Sequence, residues 1–492
     1  MLFCELLQFE EVAWAENGAT TRVLGLTFDS RTSGYGSLFF CIRGAFCDGH
    51  EYASEAYRRG CRHFVVARPL SLPADASVLI CPSPRKKMAF LAARYYGNPA
   101  SDMRIIGITG TKGKTTTALM LRGLLERSGV PTAYIGSSGV IFGDTHIPTE
   151  NTTPSSLDLQ RYLRSISDRG IKTAVMEVSS QALVGDRVLT LPFSMGIFTN
   201  LSRDHIGVGE HADMAAYQAA KLRLFTDFLP KQVVLNAEDP FSSKIERRWR
   251  GDTCLRYGNG SGSFLRYHSI LQYREKDHLY TAFRIGGDGE EKEVTLEFAG
   301  VHYILDFLAA LSAATLISKV PYRDLLPCAS QLTVAGRSEV YAAPSGALFV
   351  IDYAHNGASL AAALRGLRPY TEGRLICLFG SVGERTKCRR SDMAAAAERH
   401  ADFSVITADN PGNEDADEIG RQIWSAFRDP RNCIYIRERE DAIRYLVCNA
   451  CRGDVVLLAG KGDETYQLSA EGRVPFQERR IIEDLAVFRK PK

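Results

Sequence analysis

The chain has 492 residues, with 60 basic against 57 acidic side chains for a formal charge of +3, and apolar residues make up 45%. At roughly 150 residues per domain this length predicts about three globular domains, each able to bury its own core, which excludes a disulfide-stapled mini-protein. Balanced charge without long like-charged blocks excludes the footprint of a nucleic-acid binder, and no run approaches the ~20 apolar residues of a membrane span.

The N-terminal stretch carries Glu5, Glu10 and Glu11 and lacks the basic start of a secretion signal. A cytoplasmic protein with reduced cysteines is expected, and Cys448 and Cys451 have no second such pair to complete a zinc site. Residues 1–100 alternate short apolar runs (Val23 to Phe28, Ser37 to Ile42, His63 to Ala67, Ser77 to Ile80) with helical stretches, the pattern of a small α/β domain. The turn residues Gly97 to Ser101 mark its end.

A central domain over 101–335 follows. Its β-branched runs at Arg104 to Thr109, Thr173 to Val178, Phe193 to Thr199 and Gln232 to Leu235 alternate with helical segments, which predicts a mostly parallel sheet covered by helices. Leu305 to Val320 reads as a core helix, and the Gly-rich, charged piece from Arg250 to Glu293 as a β-meander or mobile loop region. A third, Rossmann-like α/β domain over 336–492 carries strands near Leu348 to Ile351, Leu375 to Phe379, Phe403 to Thr407 and Val455 to Ala459.

Chemistry concentrates first in Thr109-Gly110-Thr111-Lys112-Gly113-Lys114-Thr115-Thr116, between the first central strand and an Ala/Leu-rich helix from about Lys114 to Ser128. Glycines let successive N–H groups turn onto phosphate oxygens, the helix start adds positive potential, Lys114 reaches the β/γ-phosphates and Thr115 can ligate Mg²⁺. Ile108 stands where the strict spacing wants Gly, so this is a shortened phosphate loop for ATP. Glu177 and His205 each follow a β-branched run, at strand ends where open α/β sheets place ligands, and suggest a second Mg²⁺ site; the bland reading of each is a hydrogen-bonded loop residue.

Taken in order, further segments resemble the Mur ligase family, most closely its tripeptide-synthetase (MurE-type) branch. They are Phe28-Asp29-Ser30-Arg31, Asp48-Gly49-His50, Asn151-Thr152-Thr153-Pro154, Glu177-Val178-Ser179-Ser180, Thr199 to His205, Tyr217 to Lys221, Gly336-Arg337, Asp352 to His355, Gly383-Glu384-Arg385, Asp409-Asn410-Pro411 and Gly460 to Glu464. The resemblance implies a UDP-binding first domain, touching the uridine through Phe28 and Ser30, a central ATPase domain and a C-terminal ligase domain that closes over the nucleotide. It implies ATP-dependent activation of the D-Glu carboxylate of UDP-MurNAc-L-Ala-D-Glu as an acyl phosphate, displaced by the amine of a free diamino acid. Lys114, His205, Lys221, Asp352 and His355 would be catalytic. Thr109 to Thr116 and Arg337 would bind the nucleotide. Asn151, Thr152, Thr153, Ser179 and Arg187 would hold the muramoyl peptide, and Arg385, Asp409, Asn410, Pro411, Gly460 and Glu464 the amino acid. Two Mg²⁺ ions would be held through Thr115, Glu177, His205 and Lys221, the last carbamylated by CO₂, a reaction that needs the neutral amine burial favours. The protein would act as a monomer.

The chain departs from that pattern in places. The loop Ile206 to His211 is longer, Tyr303 and Asp306 replace asparagines of the adenine motif, and Gly185 replaces a glutamine. Gly412 stands where enzymes adding meso-diaminopimelate carry an arginine, so a diamino acid without the distal carboxylate, L-lysine first and ornithine second, is the expected substrate, unless Arg389, Arg390 or Arg421 supplies the guanidinium. Alternatives are a ligase with another acceptor, such as a folylpolyglutamate synthetase, and a non-catalytic nucleotide-binding regulator.

Overall fold

Runs of Ile, Val and Phe without polar interruption make strands buried on both faces, as parallel sheets require. In this computed structural model, which describes residues 1–8, 12–44, 47–207, 210–287, 290–384 and 387–485, the chain forms two compact units. One comprises Met1–Ala118, Gly129–Leu235 and Asp239–Cys254, the other Leu119–Ser128, Asn236–Glu238 and Leu255–Lys492.

The first unit opens with a five-stranded sheet in the order Val12–Ala13, Ser77–Ile80, His63–Val66, Ser37–Phe40 and Gly25–Thr27, parallel except at its first pair. Alternation along Ser37–Phe40 sends Leu38 and Phe40 into a cluster with Phe3, Val65 and Leu91, and Phe39 into another with Phe64 and Val66. Eight strands make the next sheet, ordered Thr253–Tyr257, Gln232–Asn236, Phe193–Phe198, Arg104–Thr109, Thr173–Glu177, Thr132–Gly136, Gly139–Phe142 and Thr145–Ile147. From Gln232–Asn236 to Thr132–Gly136 the neighbours pair in parallel, and the last three strands are antiparallel hairpins. After Arg104–Thr109 the chain runs out on one side to Thr132–Gly136 and the two outer hairpin strands, returns to Thr173–Glu177 directly beside Arg104–Thr109, then crosses to Phe193–Phe198 on the other side. The carboxyl end of Arg104–Thr109 is thus a topological switch point, where such sheets bind ligands.

The second unit contains an antiparallel meander, Arg266–Glu275, His278–Gly286 and Glu291–Leu296, in the stretch read as a meander or mobile loop. The core helix extends over His302–Ser318 and is buried along most of its length. A six-stranded sheet follows in the order Glu339–Ala342, Leu348–Asp352, Val455–Ala459, Leu375–Phe379, Phe403–Ile406 and Cys433–Tyr435, antiparallel only at its first pair. Among the described residues no single helix is long and apolar enough to cross a membrane.

Candidate active site

In the first unit the phosphate loop is held by the segment after Phe193–Phe198. Thr111 N donates to Asn200 O at 2.8 Å and Lys112 N to Asn200 Oδ1 at 3.0 Å, while Thr199 Oγ1 donates to Lys112 O at 2.6 Å. Gly110 permits that approach, since a Cβ there would fall 1.9 Å from Thr199 Oγ1. Lys112 Nζ pairs with Asp204 at 3.0 Å, and Lys114 Nζ folds back on Gly110 O and Thr111 O at 3.0 and 3.1 Å. The loop therefore gathers two ammonium groups and a helix start, Lys114–Arg127, around one turn of backbone, a cradle that fits a polyphosphate.

The helix Met214–Thr226, capped by Asp213 accepting from Ala216 N at 2.7 Å, carries Tyr217 and Lys221 one turn apart on the same face. Tyr217 Oη donates to Thr111 Oγ1 at 3.2 Å, and Lys221 Nζ donates to Gly110 O at 2.7 Å while lying 4.5 Å from the Tyr217 ring centre. Lys221 is 1% exposed. Burial, reinforced by the charges of Lys114 and Lys112 and only partly offset by Asp204, holds its amine well below the usual lysine range.

Glu177, buried at the end of its strand, accepts from Thr115 Oγ1 at 2.9 Å, Tyr134 Oη at 2.6 Å and Ser137 N at 2.9 Å. His205 is not gathered onto that carboxylate in any contact seen; its Nδ1 lies 3.2 Å from Glu210 Oε1. Among the described residues no three His, Cys, Asp or Glu side chains converge as a metal-holding group, so Thr115 and Glu177 are the pair of expected cation ligands brought into contact. His211 does come near: its Nε2 meets Ser180 Oγ at 2.8 Å, its ring packs 5.2 Å from that of Tyr217, and burial with the charges of His205 and Lys221 lowers its pKa. Val208 and Gly209 of the lengthened loop lie outside the described residues.

Of the expected peptide-binding residues, Thr153 is central. Its Oγ1 donates to Glu177 O at 2.9 Å and accepts from Ser179 N at 3.0 Å, and Arg187 Nη1 donates to Thr153 O at 2.8 Å. Thr152 Oγ1 lies 2.9 Å from Ser137 Oγ, and Asn151 is exposed. Elsewhere in this unit Phe28 is exposed, and Ser30 Oγ donates to Glu55 at 3.0 Å.

In the second unit the candidate residues again follow the carboxyl ends of strands. Asp352 Oδ2 accepts from Tyr303 Oη at 2.8 Å and Ser338 N at 3.1 Å, so Tyr303, one of the departures in the adenine motif, is committed to a carboxylate. Arg337 stacks 4.5 Å from the Tyr353 ring centre, and His355 Nδ1 lies 2.8 Å from Tyr353 O. Beyond Phe403–Ile406 and Val455–Ala459 a buried charge network forms. Lys461, fully buried, donates to Asn410 Oδ1 at 2.5 Å and Tyr466 O at 3.0 Å and pairs with Glu464 and Asp409 at 3.3 and 3.5 Å. Glu464 also accepts from Asn410 Nδ2 at 2.9 Å; burial and the neighbouring Asp409 raise its pKa against the pull of Lys461. Gly460 approaches Asp409, Pro411 O accepts from Glu414 N at 3.1 Å, and Gly412 N donates to Leu468 O at 3.1 Å. Arg385 lies outside the described residues.

Sequence reasoning singled out neither Tyr134 nor Lys461 as a site residue. Tyr134 lies outside the strands and motifs named from the sequence, and Lys461 falls within the Gly460 to Glu464 segment, where the resemblance gives a role only to Gly460 and Glu464.

The family model for the Mur ligase middle domain matches residues 108–314, and that for the Mur ligase glutamate ligase domain residues 336–462. The chain is 35% identical over 466 residues to a UDP-N-acetylmuramoyl-L-alanyl-D-glutamate–2,6-diaminopimelate ligase of Caldanaerobacter subterraneus, covering 94% of each chain. It is 34% identical over 477 residues to the ligase of the same name from Geobacillus thermodenitrificans, covering 95% of this chain and 96% of that one. A solved structure of an enzyme with that name superposes with a TM-score of 0.66 at 25% identity, over 99% of both chains. Phosphate loop, buried lysine and both matched domains lead to one assignment: the chain belongs to the Mur ligase family of ATP-dependent, ADP-forming ligases.

Proposed function

We propose that this ligase joins a diamino acid to the D-Glu carboxylate of UDP-MurNAc-L-Ala-D-Glu in the cytoplasm, acting as a monomer through domains 1–100, 101–335 and 336–492. The observation that carries the reading is the phosphate loop with Lys221 buried against its Gly110 carbonyl, in a chain aligned nearly end to end with relatives named for that reaction. A carboxylate oxygen attacks the γ-phosphorus of ATP and ADP leaves; the amine then attacks the acyl carbon, loses a proton, and phosphate leaves. Lys112 and Lys114 offset phosphate charge at the loop. Thr153, tied to Ser179 and Arg187, orders the strand end beside Glu177 where the peptide would lie. Lys221 is suited to carbamylation because burial lowers its pKa and so favours the neutral amine. Mg²⁺, held by Thr115, Glu177, His205 and the Lys221 carbamate, would neutralise charge on the transferring phosphoryl group.

The names of the relatives point to 2,6-diaminopimelate as the added amino acid, against the lysine expected from Gly412. Lysine stays as a second reading on one observation: the nearest side chain to residue 412 is the carboxylate of Glu384. A Cβ there would lie 3.3 Å from Glu384 Oε2. Arg390 is buried against Glu414 and Gln422 at 2.5 and 2.6 Å, and Arg421 pairs with Glu418 on the surface. Phosphate release measured with each substrate omitted in turn tests the main reading. Release should require ATP, the UDP-dipeptide and an amino acid together, and release that ignores either of the last two refutes it.

A further inference from the structure

The hydrogen bonds on Glu177 are distributed unevenly. Those from Thr115 Oγ1, Tyr134 Oη and Ser137 N all end on Oε1, and among the described residues none ends on Oε2. Tyr134 Oη also accepts from Ser138 N at 3.2 Å, so its rotor is set and its own proton points to the carboxylate. The arrangement depends on Gly136, where a Cβ would fall 2.3 Å from both Glu177 Oε1 and Tyr134 Oη. The turn 136–138 thus delivers two N–H groups toward one carboxylate oxygen, one directly and one through a phenol, and its Ser137 Oγ meets Thr152 of the expected peptide-binding segment at 2.9 Å.

We propose that Tyr134, set by the 136–138 turn, is a positioning residue that fixes the Glu177 carboxylate by Oε1 and reserves Oε2 for a divalent cation, an inference that rests on the Mg²⁺ role given to Glu177 above. A carboxylate torsion is broad and nearly two-fold. Three donors on one oxygen remove that freedom before the cation arrives, and supporting groups of this kind are typically worth 10- to 100-fold in metal affinity. Thr115 contributes twice: by giving its proton to Oε1 it turns its own lone pairs outward. If the tyrosine merely satisfied a buried hydroxyl, metal affinity would not depend on it.

Manganese serves as the probe. The full chain, with ADP present, is titrated with Mn²⁺ and free metal is read by electron paramagnetic resonance for the wild type, Tyr134→Phe and Glu177→Gln; metal-free ADP affinity and thermal melting are measured alongside. Tyr134→Phe should bind Mn²⁺ about tenfold more weakly, melt as a folded protein, hold metal-free ADP as the wild type does, and recover kcat at saturating Mg²⁺. Mn²⁺ affinity equal to wild type in Tyr134→Phe, with Glu177→Gln impaired, overturns the inference alone. Undiminished affinity in Glu177→Gln overturns the cation reading of Glu177 and the inference with it.

Discussion

Lys221 gives the sharpest test of the chemistry. An ordinary lysine with a pKa near 10.4 is neutral in only about one molecule in 2,500 at pH 7, and each unit of depression raises that fraction tenfold at a cost of about 1.4 kcal/mol. Here the side chain is 1% exposed, and burial, with the charges of Lys114 and Lys112, pushes its pKa down against the opposing charge of Asp204. Carbamylation, in which the amine nitrogen bonds the carbon of CO₂ and releases a proton, should therefore proceed at neutral pH, where exposed lysines are unreactive. The sign is fixed by linkage: as pH falls from about 10.4 toward the depressed value, the unfolded chain takes up a proton the folded one does not. The folded state then loses about 1.4 kcal/mol per pH unit, and the loss levels off below the depressed value. With ¹³C-labelled bicarbonate a carbamate resonance should appear in the wild type and be absent from Lys221→Ala. Exhaustive CO₂ removal should abolish ligation reversibly. Lys221→Ala should retain ATP affinity and lose at least ~99% of turnover, since removing a charge stabiliser of the reacting phosphoryl group costs about 10²-fold or more. Full turnover in Lys221→Ala, or in the CO₂-free enzyme, would refute the reasoning.

Three further outcomes are expected. In a competition ligation, Gly412→Arg should shift preference toward diaminopimelate: an arginine–carboxylate pair is worth about 1.5–3 kcal/mol, roughly a 10- to 150-fold change that product analysis by mass reads directly. Glu478→Gln should destabilise the second unit by about 3–5 kcal/mol, because it strips the partner from fully buried Arg439, 2.7 Å away; hydrogen exchange over 455–459 measures it. Thr153→Val should raise the KM for the UDP-dipeptide while sparing that for ATP, since it unties Ser179 N and Glu177 O without touching the phosphate loop.

Strands were legible wherever β-branched runs stood between turn residues: Arg104–Thr109, Thr173–Glu177 and Val455–Ala459 fall where periodicity put them. The phosphate loop was legible because its glycines, lysines and following helix are contiguous. What stayed hidden are meetings between distant segments. Tyr134 and Glu177 are 43 residues apart and Tyr303 and Asp352 49 apart, and alternation along a strand tells which face a tyrosine takes but not which carboxylate its hydroxyl meets. Burial of Lys461 was hidden for the same reason: three polar partners, Asn410, Glu464 and Tyr466 O, make its burial tolerable, and Asn410 is 51 residues away along the chain.

The acceptor end is where resemblance and local chemistry pull apart, and electrostatics says what each choice demands. A distal carboxylate on the incoming amino acid needs a cation, yet the side chain beside Gly412 is the carboxylate of Glu384, and Arg390 is paired with Glu414. A distal ammonium would meet Glu384 favourably in the same space. Diaminopimelate carries both groups on one carbon, so its ammonium can face Glu384 only if its carboxylate finds a donor elsewhere, and a carboxylate left desolvated and unpaired is rejected rather than weakly held. On the proposed reading of the site, discrimination between lysine and diaminopimelate would turn on whether one cation reaches that carboxylate, which a single substitution at residue 412 adds without altering the phosphate loop or Lys221.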